Sequence, residues 1–468
     1  MERLAHMLSS PAGRRILVVG LARSGRAAAL VLAARGARVV ATDRRAALEG
    51  LEPLRAAGVE LALGADRPEL TAAAELVVLS PGVPLAAPVP RAALAAGVPV
   101  LGELELGARL CGLPLLAVTG TNGKSTTTAL CAHLLARAGL APFLGGNIGR
   151  PLCDLLLLPE AERRACRWAV VEVSSYQLEH LSAPAALAPR VAVWLNLTPD
   201  HLERHGSLET YAAMKRRLLE GQDARAAAVV FRDDPVVSRA AEGLACRVRG
   251  FGHAPAHLAA DDALIIQERR QGRRLELGAL GLRLELGNPR LAGAHNAENA
   301  AAAVLAVLEA GADPACLQAG LDDFPGLPHR IEPVRELQGV RWVNDSKGTN
   351  VDATLKSLGA FEVPVVLIAG GLGKGTGYLA LREAVRQRVR HLILLGQDAP
   401  RLEAELAGCA PTHRVADLAA AVALARRLAE PGQVVLLSPA CASFDMFRDF
   451  EQRGEVFAEL VRALPEGA

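Results

Sequence analysis

Lysine is scarce in this sequence. Of 52 basic residues only five are lysine (Lys124, Lys215, Lys347, Lys356 and Lys374), and the other 47 are arginine. Where only positive charge is wanted the chain uses arginine. A position that keeps lysine therefore points to a compact ammonium, or to an amine that can be chemically modified. Paired cysteines are also lacking: the eight cysteines are scattered and form no C-x-x-C pair. That is the usage of reduced thiols in a cytosolic protein, and it leaves no disulfide or zinc framework to expect. No apolar run reaches the ~18 residues of a membrane span, and no signal-peptide cleavage pattern precedes the first apolar strand at Ile16 to Val19. A cytoplasmic protein without membrane insertion is expected. Net charge is only +2, without the basic excess of a nucleic-acid binder or an acidic tail. Short repeats and a low-complexity tail are absent, and so is an Asn-Lys-x-Asp guanine-reading motif, which counts against a regulatory GTPase.

What is present is strand–helix alternation over 468 residues, too long for one ordinary core. A first block opens with a strand at 15–20, a glycine turn, a helix near 24–34 and a strand ending at Asp43, with further strands at 76–80 and 98–101. Gly112-Leu113-Pro114 reads as a linker, and Phe324-Pro325-Gly326-Leu327-Pro328 as a second break. The predicted organisation is three α/β domains, 1–112, 113–322 and 323–468, each with a mostly parallel sheet flanked by helices. Within the middle block, alternating leucines over 273–286 predict an antiparallel hairpin belonging to a small side sheet.

The chemistry concentrates in a few strings. Strand 115–119 runs into Gly120-Thr121-Asn122-Gly123-Lys124-Ser125-Thr126 and then a helix. Glycines let backbone N–H groups turn toward a phosphate, and the helix N-terminus adds positive potential. Lys124 would reach the β/γ-phosphates, with the Ser125 or Thr126 hydroxyl on Mg²⁺. Glu172 closes the apolar run Val170-Val171, where a carboxylate is costly unless it meets a cation. Strand 191–195 ends in a polar string containing Asp200-His201, followed by a helix carrying Tyr211 and Lys215. The carboxyl end of a strand is where α/β sheets place ligands. Taken alone, His201 reads as an ordinary loop histidine and Lys215 as a surface helical lysine.

Together these strings identify a resemblance. The Gly120–Thr126 turn, Gly145-Gly146-Asn147-Ile148-Gly149, Glu172-Val173-Ser174-Ser175, Asp200-His201 and Gly293-Ala294-His295-Asn296 are similar to motifs of the Mur ligase family. Three C-terminal strings resemble its D-glutamate-adding branch: Gly326-Leu327-Pro328-His329-Arg330, Asn344-Asp345-Ser346-Lys347-Gly348-Thr349-Asn350, and Ser438-Pro439-Ala440-Cys441-Ala442-Ser443-Phe444-Asp445 with Phe450-Glu451-x-Arg453-Gly454. The resemblance implies a Rossmann-like N-terminal domain for a UDP-sugar, a P-loop-like central domain for ATP and a Rossmann-like C-terminal domain for the amino acid. It implies ATP-dependent ligation of D-glutamate to UDP-N-acetylmuramoyl-L-alanine through an acyl phosphate, with domain closure, in a monomer.

Site roles implied by the resemblance follow the matched positions. Lys215 would be carbamylated, and two Mg²⁺ would lie near the γ-phosphate, one held by Ser125 and Glu172, the other by His201 and carbamylated Lys215. Asn296, Asn299, Arg330 and Asp345 would contact the nucleotide. Thr349, Lys374, Ser443 and the backbone around Phe450 would hold D-glutamate. The turn Gly20-Leu21-Ala22-Arg23-Ser24-Gly25 with Asp43 mimics a dinucleotide fingerprint, but Ala22 replaces its middle glycine and restricts pyrophosphate approach. The resemblance gives this turn to the uridine diphosphate instead, through Leu21, Ala22, Arg23, Ser24, Asp43, Arg44, Ser80, Pro81 and Gly82, with Asn147 helping from the central domain. The rival readings are a diaminopimelate- or lysine-adding ligase and a non-catalytic nucleotide-binding regulator. Asn288-Pro289-Arg290 is all that approaches the former's Asp-Asn-Pro-Arg motif, and its place before Gly293 reads as a hairpin exit turn.

Overall fold

A computed structural model describes residues 2–268, 272–373, 375 and 377–466. Three sheets carry the fold. The first comprises β1 (Arg15–Val19), β2 (Arg38–Asp43), β3 (Glu60–Leu63), β4 (Leu76–Leu79) and β5 (Val100–Gly102), in the order β3-β2-β1-β4-β5. All of its pairings are parallel. Helices cover both faces, so the strands read as continuous apolar runs whose alternate residues enter different cores. Ile16 and Val18 pack with Leu32 on one side, while Leu17 and Val19 pack with Val89 on the other.

The second sheet comprises β6 (Leu115–Thr119), β7 (Pro142–Gly146), β8 (Trp168–Glu172), β9 (Val191–Trp194), β10 (Ala227–Phe231), β11 (Arg247–Gly252), β12 (Ala263–Glu268), β13 (Gly272–Leu277) and β14 (Leu282–Glu285). Its order is β14-β13-β12-β11-β10-β9-β6-β8-β7. The antiparallel pairing expected over 273–286 is present between β13 and β14, but not as a separate sheet. β12 bonds β11 in parallel and β13 antiparallel, so the hairpin prolongs the central sheet. Leucine alternation reports the period of a strand and not the identity of its neighbour, which is why the sequence misplaced it.

The third sheet comprises β15 (Glu332–Leu337), β16 (Val340–Asn344), β17 (Val365–Gly370), β18 (Val389–Leu395), β19 (Thr412–Arg414) and β20 (Val434–Leu437). Its order is β15-β16-β20-β17-β18-β19, parallel except for β15 at one edge. Leu367 and Ala369 of β17 enter one core, and Val366 and Ile368 the opposite one. The chain groups into two compact units, Met1–Glu285 with Glu298–Asp322, and Leu286–Ala297 with Asp323–Ala468. The first unit holds two sheets and the second holds the third. Asn288-Pro289-Arg290 is a turn after β14, where Asn288 Oδ1 accepts from Arg290 N at 2.9 Å.

Candidate active site

β6 is buried along its whole length and lies between β9 and β8, so its carboxyl end opens inside the central sheet and not at its edge. The chain leaves it through Gly120 and enters the helix Lys124–Arg137 after Gly123, whose φ is +83°. A Cβ at Gly123 would stand 2.1 Å from Asn299 Oδ1, an approach only glycine permits. Asn299 Oδ1 also accepts from Thr127 Oγ1 at 3.2 Å. The turn is held in shape by Asn196, beyond the end of β9. Asn196 Oδ1 accepts from the backbone N–H of Thr121 (3.2 Å) and Asn122 (2.9 Å), and its amide donates to Asn122 O at 3.1 Å. Lys124 Nζ donates to Gly120 O at 3.0 Å and Thr121 O at 2.7 Å, folding its cation over the turn. Ser125, in the first turn of the helix, is buried.

Three further candidates gather at this carboxyl edge. Glu172 ends β8, is 3% exposed, and accepts at Oε1 from the Asn147 amide at 2.6 Å. His201 has a left-handed φ of +53° and its N–H donates to Asp200 Oδ1 at 2.9 Å. Its Nδ1 lies 3.1 Å from Tyr176 Oη, and its Nε2 3.6 Å from Asp200 Oδ2. Lys215 rides the helix Leu208–Arg216, which Ser207 caps by accepting from Thr210 N. Far from the surface lysine it reads as in isolation, Lys215 is 1% exposed. Its Nζ donates to Gly120 O at 2.7 Å and sits 4.4 Å from the centre of the Tyr211 ring. Burial, then the charge of Lys124, pushes the amine well below the ordinary lysine range, against the pull of Asp200 and Glu172.

These groups fit a hard cation carried in with a triphosphate. No cluster of three or more His, Cys, Asp or Glu capable of holding a metal exists among the described residues. A hydroxyl and one carboxylate beside a phosphate turn suit Mg²⁺, which takes much of its coordination from substrate phosphates and water. A free amine is a poor ligand for such an ion. A neutral buried amine is, however, the form that adds CO₂, and the resulting carbamate presents anionic oxygen.

The first sheet forms a separate cavity of about 240 Å³ at the carboxyl ends of β1, β2 and β4, lined by Gly20, Asp43, Arg44, Arg45 and Gly82 among others. It lies where the strand order reverses between β1 and β4, the ligand crevice of an open parallel sheet. Gly20 has φ +86°, and a Cβ there would come within 2.8 Å of Val83. Asp43 accepts from Leu21 N at 2.8 Å and is forked by Arg45 at 2.9 Å on each oxygen, which holds its carboxyl below the usual range. Arg44 is largely exposed, 3.9 Å from Asp66. Arg23 reaches from this glycine turn to Gly149 O at 3.0 Å. Ser80 is buried beneath Gly20.

In the second unit Asp345 is buried, accepting from Ser357 Oγ (2.6 Å) and Ser438 Oγ (2.8 Å). Burial pushes its carboxyl up to about 6, against those hydrogen bonds and the charge of Arg330. Asn296 donates to Ala292 O at 2.8 Å. Thr349 N donates to Lys347 O at 2.8 Å, and Phe450 O accepts from Ser346 Oγ at 2.9 Å. Ser443 is buried and its carbonyl receives Phe447 N at 2.8 Å. Arg453, 3% exposed, ties these segments together by donating to Ser346 Oγ (2.9 Å), Ser346 O (2.8 Å) and Cys441 O (3.3 Å). Lys374 lies outside the described residues.

Family comparisons cover all three sheets. Residues 14–102 match the MurD-like N-terminal domain of Mur ligases, 118–307 the Mur ligase middle domain, and 329–441 the Mur ligase glutamate ligase domain. The chain belongs to the Mur ligase family. Among its curated relatives, the UDP-N-acetylmuramoylalanine–D-glutamate ligase of Myxococcus xanthus is 47% identical, over 97% of this chain and 99% of its own. The enzyme of the same name from Anaeromyxobacter dehalogenans is 48% identical, over 96% and 97%. Solved structures share the fold at lower identity. The UDP-N-acetylmuramate–alanine ligase of Thermotoga maritima aligns at 20% identity with a TM-score of 0.61, covering 96% of this chain and 99% of its own. The MurF ligase of the same organism, in complex with ADP, aligns at 18% identity with a TM-score of 0.62, covering 98% of each.

Among the residues expected from sequence, the structure places Lys124, Ser125, Glu172, Lys215 and Asn299 around one turn of this Mur ligase. It turns the Asp345 carboxylate inward to two serines. Sequence reasoning missed Asn196, Tyr176 and Arg45. Asn196 stood in a polar string at a strand end, where ligands gather, but nothing in the string says that its amide braces a turn 74 residues earlier. Arg45 was hidden by its neighbour Arg44, since either could have faced Asp43.

Proposed function

We propose that this Mur ligase joins the amine of D-glutamate to the carboxylate of UDP-N-acetylmuramoyl-L-alanine, using ATP, in peptidoglycan precursor synthesis. The observation that carries the reading is the likeness to D-glutamate ligases over 96–97% of the chain, at 47–48% identity in the two relatives above. A carboxylate is a poor electrophile at neutral pH. Its oxygen attacks the γ-phosphorus of ATP, ADP leaves, and an acyl phosphate results. The amine of D-glutamate then attacks the acyl carbon and inorganic phosphate departs. The protein's part is positioning and charge neutralisation. Lys124 and the N–H groups of the Gly120–Ser125 turn hold the phosphates. Ser125, Glu172, His201 and carbamylated Lys215 would hold two Mg²⁺, which supply positive charge to the transferring oxygens. Supporting the carbamate are the burial of Lys215, its depressed basicity and its contact with the turn.

The cavity on the first sheet would take the uridine diphosphate, with Asp43 fixed by Arg45. The roles given to Asn296, Asn299, Arg330 and Asp345 toward the nucleotide, and to Thr349, Lys374, Ser443 and Phe450 toward D-glutamate, belong to the same proposal. So do boundaries near 112 and 322, and a cytoplasmic monomer. All eight cysteines are free, and no helix among the described residues is long and apolar enough to cross a membrane. The deciding experiment is a panel of amino acids assayed for ATP-dependent phosphate release with UDP-N-acetylmuramoyl-L-alanine. Release with D-glutamate alone is expected. Release with diaminopimelate or lysine would reassign the branch, and none with any amino acid would favour a nucleotide-binding regulator.

A further inference from the structure

We propose that Asn147 is a positioning residue for Glu172, holding the carboxylate in the orientation from which it meets the metal–nucleotide. The family resemblance gives Asn147 to the UDP-sugar, and the inference rests on the phosphoryl-transfer reading above. The geometry goes further than a sugar contact. Asn147 grips Glu172 twice: its N–H donates to Glu172 O at 2.9 Å, and its amide Nδ2 donates to Glu172 Oε1 at 2.6 Å. The turn that carries it is built for that approach. β7 pairs with β8 so that Gly146 faces Glu172, and Gly146 has φ +95°. A Cβ at Gly146 would stand 2.3 Å from Glu172 O, and one at Gly145 2.6 Å from Arg150 O. Gly146 N closes the turn onto Arg150 O at 2.8 Å, and Arg23 steadies its far side at Gly149 O.

Two physical points favour orientation over mere packing. Glu172 is buried while Asn147 is exposed, so the amide is not a core filler satisfying an interior network. A carboxylate at the end of a side chain turns about a broad sp²–sp³ torsion, and a hydrogen bond to one oxygen removes that freedom. The donor is also neutral. An arginine or lysine at this position would orient Glu172 equally well but would cancel the charge that attracts a cation; an amide leaves it whole.

The test is the Mg²⁺ dependence of binding of a non-hydrolysable ATP analogue, measured by calorimetry on the full chain without UDP-sugar or D-glutamate. Loss of an outer partner of a metal ligand raises the metal requirement about 10–100-fold. Asn147→Ala is expected to raise the half-saturating Mg²⁺ at least about tenfold, with metal-free nucleotide affinity unchanged. Asn147→Asp keeps the shape of the turn but replaces the donor with a like charge, and is expected to raise it at least as far. Added to Glu172→Gln, Asn147→Ala should produce no further rise. A Mg²⁺ requirement within twofold of wild type in both variants overturns the proposal and leaves Asn147 to the sugar. Equal losses with and without Mg²⁺ overturn it too, since they report a loosened turn. Wild-type protein that binds no Mg²⁺–nucleotide would sink the underlying phosphoryl-transfer reading, a result distinct from both.

Discussion

Replacing Lys215 by arginine keeps a positive charge and should nevertheless silence the enzyme. Lys215 Nζ is enclosed, 1% exposed, with Gly120 O at 2.7 Å and the Tyr211 ring at 4.4 Å. Arginine is longer, stays protonated at any working pH, and does not readily form a carbamate. Two effects separate. Forcing a larger side chain into a filled site costs about 1–3 kcal/mol of stability, visible as a lower Tm. Losing a metal ligand outright costs more than losing an outer-shell partner, so turnover should fall by at least about 100-fold. Lys215→Met divides the two, because it nearly conserves volume while removing the amine; it should lose turnover with little change in Tm. The assay is D-glutamate-dependent phosphate release, with UDP-sugar binding measured separately and expected to persist. Wild-type enzyme held in CO₂-free buffer should lose activity and regain it with bicarbonate. A folded Met or Arg variant turning over within threefold of wild type would refute the carbamate.

Other expectations concern the supports of the site. Burial pushes Glu103 up to about 7 from an ordinary 4.5, although Cys153 N donates to its Oε1 at 2.7 Å; Oε2 has no hydrogen-bond partner. The unfolded chain releases this proton near 4.5 and the folded chain near 7, so the folded state binds more protons in between and stability falls as pH rises through that window, by roughly 3 kcal/mol in all. Glu103→Gln should therefore gain on wild type between pH 5 and 8 in thermal midpoints; a pH-independent difference would contradict this. Asn196→Ala removes three hydrogen bonds to the phosphate turn, and should cost about 2–4 kcal/mol and weaken nucleotide binding while sparing the UDP-sugar. Gly123→Ala adds about 1–2 kcal/mol of left-handed strain and a clash with Asn299. Nucleotide titration should show loss of binding, which Asn299→Ala relieves only in part, because the φ of +83° remains.

The sequence was most legible where chemistry is local. A strand, two glycines, a lysine and a serine within a dozen residues specify a tight turn into a helix, because the backbone geometry and the helix N-terminus are set by neighbours in the chain. The apolar runs of β1 and β6 announced buried parallel strands. Less legible were β3, whose four residues Glu60–Leu63 are only partly buried, and the 273–286 hairpin, whose sheet partner lies elsewhere. Glu172 was readable as a buried strand carboxylate, but its partner Asn147 was not, since parallel register brings together residues 25 positions apart.

By itself, then, the order of residues determined three α/β blocks, the glycine turn between a buried strand and a helix, and which lysines stand out in an arginine-rich chain. Folding alone decided that Lys215 is buried rather than solvated, that Arg45 and not Arg44 grips Asp43, and that Asn196 braces the Gly120–Ser125 turn. Local pattern records what each residue is and how its neighbours bend. Desolvation and hydrogen-bond partnership depend on which distant atoms arrive, and those are set by strand order and crossover geometry.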